Sequence, residues 1–475
     1  MATAVPAPER VLPTLNPDGS RNRIRPKTFK GRYYWGRFAV AWLLLATFIL
    51  IPFVKMSGKP LILLDIGRRE FTILGYTFLA TDGVVLMLAA LAFFVFIFLL
   101  SAVMGRVWCG WGCPQTVYME FVFRPIEQLL EGTRTQQMKL DREGANWRRV
   151  LKMVIFALLS VFLAHVFVAY FSGIDRLAGF VTGSPFRHPI AFVAMLVTSV
   201  LVFIDFAYFR EQMCTVACPY ARLQSVLLDR DSMIVGYDAH RGEPRARKAK
   251  DGAGDCVDCN NCVATCPTGI DIRQGVQLDC IACAQCADAC DWVMRKLKRP
   301  PGLIRYGSQN SLEERKPTRF IRFRVIAYSV LFLIATGALI AARVTQGTAD
   351  VTVLRGIGTP YVVDGDSVRN LIRIKVENRG DQPRQYTIDL QGVDGAQLVA
   401  PVNPLPVDPG THRTTTVFVI TPRALFVGHG SRPVGVRVTD GVQFDRTYPY
   451  KLLGPRWQPG APTPPVPSAS AGGAP

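Results

Sequence analysis

The chain has 475 residues, 49% of them apolar, and a formal net charge of +19. That length allows several domains, and the apolar share excludes an ordinary soluble enzyme of this size. The positive charge is gathered in particular loops rather than spread over one face, which excludes nucleic acid as its partner.

Residues 1–34 form a basic, proline-containing tail, read as cytoplasmic and mobile. A membrane span needs about 20 mostly apolar residues. Five stretches meet this: 35–54, 84–105, 150–171, 190–209 and 324–342. Each is apolar on every side, so the period of a half-buried soluble helix is missing. The segment 62–78 between the first two spans predicts a hairpin, and 118–130 predicts a helix lying against the membrane. Residues 210–323 form a polar module. After the fifth span, cysteine vanishes and Val, Thr and Ile alternate with polar residues, as in 370–376, 386–390 and 414–420. Short strands separated by turns such as Asp394-Gly395 and Asp408-Pro409-Gly410 predict an antiparallel β-sandwich of about 100 residues over 350–454. A tail rich in Pro and Ala, 455–475, predicts disorder.

Orientation follows from Lys and Arg near the span ends. Arg21, Arg23, Arg25 and Lys27 precede span one. Arg106, Arg124, Arg148 and Arg149 lie between spans two and three, and Arg241, Arg245, Arg295 and Lys296 flank the module. These place the N-terminus, the 106–149 loop and the module in the cytoplasm, and the C-terminal domain outside. Lys55, Lys59, Arg68 and Arg69 in the 55–83 loop run against the trend. Span one has no cleavage site after it and reads as an uncleaved anchor.

Eight of the 12 cysteines occupy two copies of one run: Cys256-x2-Cys259-x2-Cys262-x3-Cys266-Pro267, then Cys280-x2-Cys283-x2-Cys286-x3-Cys290. Three thiolates two residues apart wrap one iron–sulfur cube, while the fourth points to the other cube. This assigns Cys256, Cys259, Cys262 and Cys290 to one 4Fe–4S cluster, and Cys266, Cys280, Cys283 and Cys286 to a second. Zinc ribbons also use Cx2C pairs, but separate them by longer loops. The second run carries Asp291 where the bacterial ferredoxin pattern has proline, which leaves the chain path after Cys290 open.

The other four cysteines form two Cx3CP motifs, Cys109-x3-Cys113-Pro114 after span two and Cys214-x3-Cys218-Pro219 after span four. Cysteines four apart share a helix face. Two such pairs at one membrane depth can offer four soft ligands to Cu(I), zinc or a third iron–sulfur cluster; separate buried thiols are the alternative. No cysteine falls in a region read as external, which argues against disulfides. Asp205 in span four is an intramembrane carboxylate and so a functional candidate. His165 reads as a packing residue, and His188 lies in a turn. Tyr33, Tyr34, Trp35, Tyr170 and Tyr208 fit an interfacial aromatic belt.

Two Cx3CP motifs, the double cysteine run, a further span and a β-rich end occur in that order. In this the chain resembles the cytochrome c oxidase accessory proteins of the CcoG, FixG or RdxA family. The resemblance implies an α-helical membrane protein of about five spans, with a bacterial-type ferredoxin module (α+β) and a C-terminal immunoglobulin-like β-sandwich. It also implies a bacterial inner-membrane location and a role in assembling a cbb3-type oxidase, with reduction of Cu(II) to Cu(I). Cys109, Cys113, Cys214 and Cys218 would then be the copper site and two 4Fe–4S clusters the cofactors. Expected partners are membrane lipid, oxidase subunits or copper-delivery proteins, and a cytoplasmic electron donor, with a homodimer left open. Two other readings stand beside this one. One is a quinol-linked electron conduit, like the membrane ferredoxin subunits of periplasmic nitrate and nitrous oxide reduction. The other is a non-catalytic, redox-sensing assembly scaffold.

Overall fold

The computed structural model describes residues 20–456 and Thr14, apart from short breaks at 57–58, 68–69, 75, 79–81, 145, 248–251, 346, 381 and 427–428. The predicted tail 455–475 therefore lies almost wholly outside the described residues. The chain forms two compact units that meet in sequence at Ala341 and Ala342. Among the described residues, five helices are long and apolar enough to cross a membrane: Arg32–Phe53, Gly83–Met104, Trp147–Ser172, Pro189–Phe209 and Phe323–Thr345. Here they are called spans one to five.

Between spans one and two lies a three-stranded antiparallel sheet, Ile62–Asp65, Glu70–Ile73 and Tyr76–Phe78. The helical segment 114–131, expected from its sequence to lie against the membrane, packs on spans one, three and four. Phe123 is fully buried, with its ring 4.8 Å from Phe156 of span three and 4.4 Å from Phe206 of span four. Val117 and Phe121 pack on Ala41 and Leu45 of span one. Pro114 starts this segment, and a wider turn over Met119–Phe123 interrupts it. Such turns let a helix readjust its faces without breaking.

In the module, strands Met233–Tyr237 and Ile304–Ser308 pair antiparallel beside helices Asn261–Thr265 and Gln285–Lys296. The two cysteine runs fold alike. Asp258 and Asn260 flank Cys259 with positive φ, and Ala282 and Ala284 flank Cys283 in the same way. They part at the proline. After Cys266, Pro267 follows the end of its helix; after Cys290, the helix continues to Lys296. There Asp291 accepts a hydrogen bond from the Gly302 amide at 2.8 Å. Without a proline nothing stops the helix, which settles the chain path after Cys290.

Residues 20–31 are not a loose tail. The Lys27 amide donates to Ala264 O at 2.8 Å, and Thr265 Oγ1 donates to Lys27 O at 2.6 Å. Phe29 packs edge-on against Trp292. The strap then hands over to span one, whose first free amides, those of Tyr33 and Tyr34, are capped by the Asp288 carboxylate of the module at 3.2 and 2.7 Å. A helix start needs such acceptors. The basic residues that looked solvated in sequence are thus partly structural.

The second unit is a β-sandwich. One sheet orders Gln397–Val399, His412–Pro422, Ser367–Asn378 and Ala349–Arg355, with Val362–Asp364 also on Ser367–Asn378. The other orders Leu405–Val407, Arg384–Gln391, Ser431–Thr439 and Asp445–Leu453. Alternate residues of facing strands, including Ile372, Ile374, Ile388, Val417, Val436 and Leu452, are fully buried between the sheets. The period-two pattern in sequence has this core as its cause.

Candidate iron–sulfur centres

The eight module cysteines surround two adjoining hollows. Cys256, Cys259, Cys262 and Cys290 line one, with Tyr237 and Leu303. Cys266, Cys280, Cys283 and Cys286 line the other, with Ile270 and Ile272; Cys262 reaches its edge as well. Burial pushes the Cys262 thiol up to about 11 and Cys290 up to about 12. It pushes Cys283 up to about 11 and Cys280 up to about 12, and Cys286 well above its ordinary value. Thiols so buried become thiolates only against a positive charge, and a metal supplies one. The donor set therefore fits iron–sulfur clusters.

An unpaired cation beside these thiols supports the same fit. Arg37 of span one is fully buried, and its Nε donates to Gly110 O at 2.8 Å. Its two terminal nitrogens have no hydrogen-bond partner among the described residues. The guanidinium lies within electrostatic reach of Cys283 and favours its thiolate. A buried guanidinium without an anionic partner is costly, and an anionic cluster on Cys283 would offset it.

The two Cx3CP motifs are brought together by a repeated design. Each follows a span that ends at a residue of positive φ four places before the first cysteine: Gly105 at +58° and Arg210 at +53°. In each, the second cysteine caps the next helix, with Pro114 or Pro219 in its first turn. The repeats brace each other. Gln115 Nε2 donates to Arg210 O at 3.1 Å, and Gln224 Nε2 donates to Gly105 O at 2.9 Å. Gln224 also accepts a hydrogen bond from the Cys109 thiol at 3.1 Å. Cys214 packs with Cys109 and lies within electrostatic reach of Cys113 and Cys218. Burial pushes Cys109 up to about 11 and Cys214 up to about 12. Among the described residues no three His, Cys, Asp or Glu side chains lie close enough to hold one metal ion. That holds for the module cysteines as well as for these four thiols, which share one neighbourhood.

Arginine stands where glycine would be easiest because its side chain is needed. Arg210 donates twice to buried Glu127, at 2.9 and 3.0 Å, and Arg25 and Lys152 reach the same carboxylate at 2.6 and 3.1 Å. Burial alone would raise Glu127, but these cations outweigh it and hold the carboxyl well below its ordinary range.

The Cx3CP neighbourhood touches the second hollow directly. A Cβ on Gly110 would lie 2.6 Å from Ile281 O and 2.8 Å from both Cys283 N and Cα, so only glycine fits this seam. Trp111 Nε1 donates to the Tyr306 hydroxyl at 2.8 Å, and that hydroxyl donates to Ala282 O at 2.5 Å. Of the other candidates, Asp205 accepts from Gln115 Nε2 at 3.1 Å, whereas His165 Nδ1 bonds to Val161 O one turn back. His188 lies against Phe180, the two rings tilted at 52°. All 12 cysteines are free thiols.

Sequence reading missed Gly105, Arg210, Gln115, Gln224, Gly110 and Arg37. A glycine four places before Cys109 was a signal for the first breaker. Nothing in the sequence marked Arg210 as its counterpart.

Comparison with known proteins identifies the parts. Residues 209–309 match the 4Fe-4S dicluster domain family, and residues 86–132, which include Cys109 and Cys113, match a 4Fe-4S binding domain family. Residues 339–455 match the Ig-like fold at the C-terminus of FixG. Protein RdxA of Cereibacter sphaeroides is 33% identical over 79% of this chain and 83% of its own length. The nitrogen fixation protein FixG of Rhizobium meliloti is 30% identical over 80% and 81%, and Protein RdxB of Cereibacter sphaeroides is 32% identical over 78% and 82%. The cysteine-rich module is therefore an iron–sulfur unit and not a zinc ribbon.

Proposed function

The chain belongs to the FixG and RdxA family of membrane iron–sulfur electron-transfer proteins, and from that premise we propose that it reduces Cu(II) to Cu(I) in support of cbb3-type oxidase assembly. Cys256, Cys259, Cys262 and Cys290 would hold one 4Fe–4S cluster, and Cys266, Cys280, Cys283 and Cys286 the other. When bound, such clusters supply single-electron storage and release. Cu(II) takes up one electron to become Cu(I), the softer ion that thiolates prefer. In this reading Cys109, Cys113, Cys214 and Cys218 receive the copper, with Gly110 keeping them against the second cluster. The module faces the cytoplasm of a bacterial inner membrane and the β-sandwich lies outside, as the charge pattern suggests.

The observation that carries the reading is the seam at Gly110, where the Cx3CP neighbourhood meets Cys283 at backbone contact distance. A second reading makes the four thiols the seat of a third iron–sulfur cluster. It is favoured by the family match over residues 86–132. One experiment tests both. Anaerobically purified protein is reduced with dithionite, freed of excess reductant by gel filtration, and given Cu(II) with a Cu(I)-specific chelator. Copper reduction lost in Cys109→Ser and Cys214→Ser, with about eight irons retained per chain, supports the copper site. About twelve irons in the parent protein and about eight in the variants supports the third cluster. Copper reduction unchanged in both variants refutes the copper assignment.

A further inference from the structure

The membrane unit carries an apolar cavity of about 730 Å3, partly open to its surroundings, that the chemistry above does not use. Spans one, three and four wall it with side chains such as Leu45, Phe167 and Leu201. One end is formed by the first Cx3CP motif itself, through Trp108, Gly112, Pro114 and Gln115. The volume is that of a small-molecule site, and such sites are apolar with a few convergent polar groups.

Those polar groups define the ligand. Gln115 and Tyr118 both line the cavity and are one helical turn apart, on one face. The Gln115 amide nitrogen is already engaged, donating to Asp205 Oδ1 and to Arg210 O, both at 3.1 Å. Only its oxygen is left to accept. The Tyr118 hydroxyl has no hydrogen-bond partner among the described residues, whereas Tyr170 across the cavity donates to Phe48 O at 2.7 Å. A hydroxyl group on the ligand satisfies both ends at once, donating to Gln115 Oε1 and accepting from Tyr118. The carboxylate of Asp205 stands behind Gln115, and ionisable groups at such depth mark functional sites. The walls require a ligand that dissolves in lipid. Its contact with a cysteine motif of an electron-transfer protein gives a redox carrier a reason to be there. A phospholipid chain would fill the walls but make no use of the polar end.

We propose that this cavity binds a lipid-soluble quinol, its ring hydroxyl between Gln115 and Tyr118 and its prenyl tail along spans one, three and four. The proposal rests on the electron-transfer reading and adds the class of membrane carrier that meets it. The test uses full-length, anaerobically purified protein in detergent, labelled with a reduced azido-ubiquinone of short tail and mapped by peptide mass spectrometry. Expected is saturable labelling, about one per chain, on peptides of residues 107–131 and spans one, three and four. Unlabelled quinol should compete, and phosphatidylethanolamine or palmitate should not. Tyr118→Phe should weaken labelling by about tenfold, the worth of one hydrogen bond, and Val202→Trp should abolish it by filling the cavity. Non-saturable labelling, equal competition by phospholipid, or normal labelling of both variants overturns the proposal. Iron content is measured on each preparation. Iron missing from the parent protein would refute the electron-transfer reading, while the labelling would still decide what the cavity holds.

Discussion

In the module, each hollow draws its four cysteines from 35 consecutive residues, shaped by short loops with Asp258, Asn260, Ala282 and Ala284 in the left-handed region. The Cx3CP neighbourhood draws on segments that follow two different spans, and a cross-brace of Gln115 and Gln224 holds them. The first arrangement is local and survives as a pattern of spacings. The second exists only when the membrane helices are packed, and residues far from any cysteine, such as Glu127 and Arg25, hold it in place. Local ligation and assembled ligation should therefore fail in different ways.

The largest effect is expected from Cys290→Ala. Although Cys290 lies in the second run, it lines the first hollow, so its loss should remove the same cluster as Cys256→Ala. Iron should fall from about eight to about four per chain, with the same electron paramagnetic resonance signal missing in both variants. Two different missing signals would break the crossed assignment. Next is Glu127→Gln, which leaves Arg210, Arg25 and Lys152 without their shared anion. A cost of about 3–5 kcal/mol is expected from thermal unfolding. The carboxyl is depressed in the fold, so its stabilisation is complete above its ordinary value of 4.5. It is lost as pH falls through the lower folded value, so the variant should lose less stability than the parent on acidification.

Gly110→Val should cost about 1–3 kcal/mol, since the seam must open to admit the side chain. Copper reduction should slow while module iron stays constant. Retention of full rate would deny the seam its role. The smallest effect belongs to Arg37→Met. Reduction adds negative charge to the cluster beside Cys283, so removing the buried cation should shift that cluster's potential negative, on the order of 60 mV for a tenfold change. Potentiometric titration reads this shift, and Arg37→Lys should restore part of it.

The same contrast explains what could be read in the sequence. The spans announce themselves because Gly83–Met104 carries no charged residue to face water. The sandwich announces itself because 370–376 alternates about a buried row of Asn370, Ile372, Ile374 and Val376. Spacing alone paired Cys256, Cys259 and Cys262 with Cys290; these four line one hollow, and Cys262 lines the other as well. The burial of 114–131 among the spans was not legible, since Arg124, Glu127 and Glu131 made it look like a surface helix. The partners of Glu131 and Glu127, Lys152 and Arg210, lie in other segments, as does Glu211 opposite Arg124. The strap at 20–31 was missed for the same reason: a run of arginines looks solvated until the acidic residues that meet it are known.

Iron and acid-labile sulfide analysis of anaerobically purified protein, joined to paramagnetic resonance after stepwise reduction, tests the central claim most directly. The protein should be brown, with about eight or more irons per chain and signals from two neighbouring 4Fe–4S clusters that interact on full reduction. A colourless preparation, or one holding zinc in place of iron, would contradict it.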